Sequence, residues 1–264
     1  MILETPDFNL AATLESGQVF GFEKNLDGTY EGFILGSKVR LKQNHHVLEI
    51  ESDLSERDII HFFHLDFDLS PIYEILSEDP RLEAVTEQCK GLRIIRQSFW
   101  EALVCFIISA NNNIKRIQKI RRSLVSAFSG FPTFHQIAAS SESELRSLGL
   151  GYRAPFLLET AKVIALNPEL LETIRDQSYA DAKLKLLDFP GVGPKVADCV
   201  LLFGLQKYEA FPVDTWISKV MRKLYFRNRK TAERKIQNFG QRRWQQYAGY
   251  IQQYLFHGAK SKFV

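Results

Sequence analysis

The spacing of apolar positions changes character along this chain. Over residues 1–50 the apolar side chains come in short runs rich in β-branched and aromatic residues. Thr29–Leu35, Lys38–Lys42 and Val47–Ile50 read as strands, separated by turns at Asp27-Gly28, Gly36-Ser37 and Gln43-Asn44. From residue 51 the spacing is helical. Asp53 and Ser55 offer caps for a helix through His61-Phe62-Phe63-His64, and further helices are expected at Pro71–Leu76 and Arg81–Cys89. The run Ala102–Ser109 is strongly apolar and long enough for a core helix. Ile114, Ile117, Ile120, Leu124 and Val125 then recur at helical spacing, with Lys115, Arg116, Lys119, Arg121 and Arg122 between them. A helix stops on Gly149 and Gly151, and the chain re-enters a helix at Pro155–Ala165. Trp216, Val220 and Leu224 share a face, and a last helix at Trp244–Phe256 carries Gln252 and Phe256 four apart. The pattern predicts an α+β protein: an N-terminal antiparallel β-sheet domain with helices over residues 1–88, then a helical region over 89–264. Within that region a helix, a tight hairpin and a second helix fall at about 181–206.

Composition adds bounds. The 264 residues are 45% hydrophobic and 12% aromatic, enough for a sizeable core. The net charge of +3 is small but unevenly spread. Residues 51–88 hold eleven acidic and two basic side chains, whereas residues 218–243 hold ten basic side chains against Glu233 alone. A basic segment in a near-neutral protein is the footprint expected for a polyanion, and equally that of a solvated helix face. Cys89, Cys105 and Cys199 are far apart, which excludes a disulfide framework and a cysteine metal site. They point to a reducing, intracellular setting. The start MILETPDFNL lacks the basic and apolar regions of a signal peptide, and no apolar run reaches membrane-spanning length. His61 and His64 flank aromatics and read as packing residues, because a metal site needs a third ligand. No metal or cofactor is expected.

The chemistry concentrates between Leu184 and Asp214. Gly191 and Gly193 in Phe189-Pro190-Gly191-Val192-Gly193-Pro194 suit positive φ and close approach of a ligand to the main chain. Pro194 suits the first position of a helix, and the N–H groups of the hairpin and helix start form an anion site. Lys195 lies in that first turn, where the helix dipole and burial both disfavour its charge. Asp214, nineteen residues on, has the chemistry of an N-cap for the helix that follows. Singly, these are a turn, a solvated lysine and a cap. Together, an anion site with an amine and a carboxylate at two helix starts suits covalent chemistry on a sugar-phosphate polymer.

The string FPGVGPKVADC, followed by Pro212-Val213-Asp214, resembles the 8-oxoguanine DNA glycosylase/lyases of the helix-hairpin-helix superfamily. The resemblance runs from Ser16-Gly17-Gln18 to Gln252–Phe256 and implies an all-α helix-hairpin-helix DNA glycosylase body behind the sheet domain. By that likeness Lys195 attacks the sugar C1′ and Asp214 supports the reaction. The backbone at Gly191, Val192 and Gly193 grips DNA. Gly17, which on its own reads as a turn residue, offers its carbonyl to the N7–H that distinguishes 8-oxoguanine from guanine. Cys199 and Phe256 enclose the flipped base, and Gln252 bonds its Watson–Crick edge. Asn111 of the Asn111-Asn112-Asn113 turn fills the gap in the duplex, Tyr152 wedges beside the opposite base, and Arg116 and Arg153 contact it; extrusion costs a few kcal/mol, so the hole must be filled. Two positions depart from the pattern: Trp216 stands where some members carry histidine, and Phe203 where some carry methionine. Three cysteines also fall short of the four-cysteine iron–sulfur cluster of related glycosylases. The expected partner is duplex DNA containing 8-oxoguanine, preferably opposite cytosine, bound by a monomer with no membrane contact. The alternatives are a glycosylase for other oxidised or alkylated bases and a non-catalytic helix-hairpin-helix DNA-binding protein.

Overall fold

The structure is a computed structural model that describes residues 1–82 and 89–259. Residues 83–88 of the helix expected at Arg81–Cys89 lie outside the described residues. Packing divides the chain into two units, one of Met1–Arg96 with the segment from Tyr208 onward, the other of Gln97–Lys207.

The first unit opens with strand β1 (Ile2–Glu4) and helix α1 (Leu10–Glu15), followed by β2 (Glu23–Lys24), β3 (Tyr30–Ile34), β4 (Ser37–Asn44) and β5 (Val47–Glu51). Among the described residues they form an antiparallel sheet in the order β1-β5-β4-β3-β2. Tyr30, Ile34, Val39, Leu41, Leu48 and Ile50 are buried on one face, against Phe8, Leu14, Ile59, Phe62 and Phe63. Burying each such side chain is worth about 1.5–3 kcal/mol, so this face anchors the unit. The β3–β4 turn is Leu35-Gly36, both at positive φ (50° and 83°). The turn expected at Gln43-Asn44 falls instead at His45-His46, with Asn44 paired to Val47. Strand β4 runs on because Gln43 is tied down: its amide accepts from Leu10 N–H at 2.7 Å and donates to the Phe8 carbonyl at 2.7 Å. The two- and three-residue strands β1 and β2 carry too little pattern to be read from sequence.

Helices α2 (Glu56–Phe63) and α3 (Ser70–Glu78) follow, α2 closed by a capping box between Ser55 and Asp58. The two histidines part company here: His61 is exposed, while His64, in the left-handed region at φ 56°, is buried. The His64 Nδ1 lies 3.1 Å from the hydroxyls of Tyr208 and Tyr250. Burial, with the nearby Arg96 charge second, lowers its pKa from 6.5 to about 4. The folded protein therefore stays unprotonated where the unfolded chain takes up a proton. Stability is full above the unfolded value and falls as pH drops towards 4, by about 3 kcal/mol for this group. Denaturant titrations across that range are expected to show the fall, and His64→Gln should flatten it. An unchanged slope in the variant would place the acid sensitivity elsewhere.

The second unit is helical: α4 (Phe99–Ser109), α5 (Ile114–Ala127), α6 (Phe134–Ala139), α7 (Glu142–Leu145), α8 (Ala154–Leu166), α9 (Leu170–Asp176), α10 (Tyr179–Leu187) and α11 (Pro194–Leu205). Helices α4 and α11 are its centre. A Cβ on Gly204 would meet the Ala102 Cβ at 2.9 Å, so glycine lets the two backbones close, and Phe106 stacks on Phe203 at 5.4 Å. The first unit is completed by α12 (Thr215–Tyr225), α13 (Glu233–Trp244) and α14 (Ala248–Gly258). The single helix expected over Trp244–Phe256 is broken at Gln245, which takes φ 47°, so that only its later part continues as α14. No described helix is long and apolar enough to cross a membrane.

Candidate active site

The hairpin lies between α10 and α11. Gly191 takes φ 78°, and a Cβ there would come within 2.8 Å of the Phe156 ring, so two independent constraints require glycine. Gly193 differs from expectation. It is extended (φ −89°, ψ 177°), with open space where a side chain would be; as N-cap of α11 it exposes backbone rather than supplying a left-handed turn. Val192 is buried and closes the turn through its N–H to the Phe189 carbonyl at 3.1 Å. Pro194 starts α11, and the N–H groups of Lys195 and Val196 have no acceptor within the helix. The hairpin is itself braced from below. Asp198, buried in α11, accepts from the Tyr179 hydroxyl at 2.6 Å and the Lys183 ammonium at 2.9 Å, both from α10.

Lys195 is half-buried in the first turn of α11. Its Nζ donates to the Ser109 hydroxyl at 3.4 Å and lies 5.4 Å from the centre of the Phe106 ring. Ser109 in turn donates to the Phe106 carbonyl at 2.7 Å. The amine is thus held against the end of α4 by one weak hydroxyl acceptor and an aromatic face, with no carboxylate in salt-bridge range within its unit. Cys199, one turn on and on the same side of the helix, is buried. Ser109 and Phe106 escaped sequence reading because nothing in an apolar run marks which members meet the lysine.

The α4–α5 connection and the loop before α8 meet within the same unit. The three asparagines divide their labour. Asn113 caps α5 through the Arg116 N–H at 3.0 Å, and Asn112 donates to the Ile108 carbonyl at 3.0 Å. Asn111 is exposed at φ 48°, its amide donating to the Tyr152 hydroxyl at 3.4 Å. Tyr152 is 47% exposed and stacks on the Arg153 guanidinium at 4.3 Å. Arg153 is placed differently from an open base contact: it is 2% exposed and donates to the carbonyls of Ala110 and Asn111. In this state it holds the Asn111 loop. Arg116, by contrast, is exposed, and its side chain makes no bond among the described residues.

The remaining candidates lie in the first unit. Gly17 takes φ 79° in a segment pinned on both sides. Gln18 donates to the carbonyls of Thr13 and Arg93 at 3.0 and 2.8 Å and accepts from Ile95 N–H at 2.9 Å. The Ser16 carbonyl accepts from Gln253 Nε2 at 3.0 Å, which ties the Gly17 peptide to α14, the helix of Gln252 and Phe256. Gln252 is buried, and its Oε1 has no hydrogen-bond partner among the described residues. An orphaned buried amide oxygen costs about 1–3 kcal/mol, the pattern of a site that awaits a donor. Asp214 caps α12, its Oδ1 accepting from Ile217 N–H at 2.7 Å. Trp216, two residues later, donates its indole N–H to the Phe256 carbonyl at 3.2 Å and so fixes the end of α14. Gln253 is a further residue that sequence reasoning missed, and Trp216, singled out there as a departure from the family pattern, here holds the end of α14.

Residues 1–103 match the family described as 8-oxoguanine DNA glycosylase, N-terminal domain, and residues 104–246 match the HhH-GPD superfamily of base excision DNA repair proteins. A probable N-glycosylase/DNA lyase of Methanothermobacter thermautotrophicus is 31% identical over 98% of this chain and 96% of its own length. The N-glycosylase/DNA lyase OGG1 of Arabidopsis thaliana is 30% identical over 95% of this chain and 77% of its own. Among solved structures, the Clostridium acetobutylicum 8-oxoguanine glycosylase/lyase, in complex with duplex DNA carrying cytosine opposite 8-oxoguanine, superposes with a TM-score of 0.92 at 32% identity. That match covers 100% of this chain and 99% of the other.

Proposed function

Because this chain belongs to the HhH-GPD superfamily of base excision DNA repair proteins and carries the N-terminal domain of the 8-oxoguanine DNA glycosylases, we propose that Lys195 is the nucleophile of its reaction. The protein is a bifunctional DNA glycosylase and apurinic-site lyase that excises 8-oxoguanine from duplex DNA in base excision repair. The roles of individual residues are our reading, and the position of Lys195 carries it: an amine at the anion-binding hairpin, held by a hydroxyl and an aromatic face with no salt bridge to an acid within its unit.

In this mechanism the hairpin amides at Gly191, Val192 and Gly193 hold the phosphate backbone and the lesion is extruded. The Lys195 amine attacks C1′, the C1′–N9 bond breaks, and its electron pair leaves with the base, which takes up a proton. The C1′–O4′ bond then breaks, a proton passes from the nitrogen to O4′, and the opened sugar is held as a Schiff base. Loss of a C2′ proton then expels the 3′ phosphate by β-elimination, and water releases Lys195. Asp214 stabilises positive charge developing at the sugar. Base selection falls to the first unit: Gly17 accepts the N7–H through its carbonyl, and Gln252 meets the Watson–Crick edge. Phe256 stacks on the ring, and the family likeness adds Cys199 to the groups that contact the base. Asn111 fills the vacated stack, Tyr152 wedges beside the estranged base, and Arg116 reads it, with Arg153 shaping the loop and joining the contact once DNA displaces the Ala110 carbonyl. This reading divides the chain by chemistry into a sheet domain over 1–88 and a glycosylase region over 89–264, acting as an intracellular monomer.

A duplex with one 8-oxoguanine opposite cytosine is expected to be nicked on the 3′ side, while the guanine duplex stays intact. Arg116→Ala should cut the preference for cytosine over adenine opposite the lesion by about 10-fold, the discrimination of one good base contact. Equal cleavage rates opposite all four bases in the unaltered protein would reject the role of Arg116.

A further inference from the structure

Beyond the hairpin, the first unit carries a strongly basic surface that the reaction does not use. The loop between α12 and α13 is rigidly built. Arg227 and Asn228 both take positive φ (50° and 58°). Asn228 N–H donates to the Arg222 carbonyl at 2.9 Å, Arg229 N–H to the Phe226 carbonyl at 2.9 Å, and the Arg222 guanidinium to the Thr231 carbonyl at 2.8 Å. Two adjoining grooves flank this loop, of about 760 Å³ and about 310 Å³, and share Phe226 and Lys235 in their walls. Phe226 and Phe239, with ring centres 5.3 Å apart, give the larger groove an apolar floor.

Arg227, Arg229, Lys230, Arg234, Lys235 and Arg242 surround these grooves. All six are exposed, and among the described residues none has an ion-pair partner. Arg243 is the contrast, paired with the buried Asp79 at 2.9 Å. Packing six unpaired cations onto a rigid loop and one helix face raises their mutual repulsion. A phosphate chain relieves it, and the ring floor accepts the apolar face of deoxyribose.

Helix α12 joins this surface to Asp214. Its eleven residues run from the Asp214 cap to Tyr225 at the smaller groove. Such a helix is about 16 Å long. At roughly 3.4 Å per nucleotide step along one strand, that is about five steps.

We propose that the basic groove formed by residues 226–231 and α13 is a second phosphate track, engaging the DNA backbone about five nucleotide steps from the lesion on one flank. This rests on the reading of the chain as a DNA glycosylase. The track would set the register and footprint of the enzyme on the duplex.

The test is equilibrium binding of the full chain to 8-oxoguanine duplexes with long arms, and with either arm cut to about four base pairs, across a salt series. Arg227→Gln/Arg229→Gln/Lys230→Gln should lower the slope of log affinity against log salt by about 2.7 on the long duplex, about 0.9 for each phosphate no longer neutralised. Cutting one particular arm should erase the difference between variant and unaltered protein; cutting the other should preserve it. Arg234→Gln/Lys235→Gln/Arg242→Gln, on the neighbouring helix face, should behave alike and guards against a local folding defect in the loop. Slopes equal to that of the unaltered protein on the long duplex, or an equal loss on every duplex, would overturn the track. Failure of the unaltered chain to nick the 8-oxoguanine duplex would instead overturn the glycosylase reading.

Discussion

Replacing Lys195 with glutamine is expected to abolish borohydride capture of an 8-oxoguanine duplex and to lower base release by at least about 10³-fold, while binding of the duplex survives. The expectation follows from where the amine sits. Its neighbours are the Ser109 hydroxyl at 3.4 Å and the Phe106 ring, neither of which can act as a nucleophile towards C1′ in its place at comparable rate. Glutamine keeps a similar length and can still donate to Ser109, so the end of α4 and the first turn of α11 should stay as they are. The hairpin amides belong to the main chain and are untouched, which is why affinity should persist. A variant that still forms the reduced adduct would place the nucleophile elsewhere.

Asp214→Asn separates two duties of one side chain. As N-cap of α12, its Oδ1 accepts from Ile217 N–H at 2.7 Å, a bond that asparagine makes as well. Stability should therefore change little. The charge is lost, and with it the stabilisation of the cationic sugar; removal of one such preorganised electrostatic group costs about 10²–10³-fold in rate. Excision is expected to fall by that factor with thermal unfolding unchanged. Asp214→Ala should add the loss of the cap, about 1 kcal/mol. Activity falling in proportion to stability in the two variants would reduce Asp214 to a cap.

The elements whose register is dictated by long runs were legible in the chain. The buried face of β3–β5, the long apolar run of α4 and the hairpin of α10 and α11 each carry enough pattern to be read. What escaped was decided by single bonds. Strand β4 extends past its expected turn because Gln43 is held by Phe8 and Leu10. The last helix breaks at Gln245, a residue with no propensity for the left-handed backbone it adopts. At the site, a Gly/Pro-rich loop before a lysine is a local signal, but the asparagine turn is not. Three identical side chains take three roles, and only their surroundings separate the cap Asn113 from the exposed Asn111. Arg153 shows the same limit, since the direction of its guanidinium, towards its own loop carbonyls, is set by residues more than forty positions away. Gln252 has the opposite character: the family likeness names it, and its burial with an unsatisfied oxygen gives that naming a physical ground.

The claim that one amine makes the bond to C1′ is tested most directly by peptide mapping of the borohydride-reduced protein–DNA adduct by mass spectrometry. The deoxyribose remnant should sit on the peptide containing Lys195 and on no other. Label on a different lysine, or on the Met1 amino group that here donates to the Ile50 carbonyl at 2.8 Å, would contradict it.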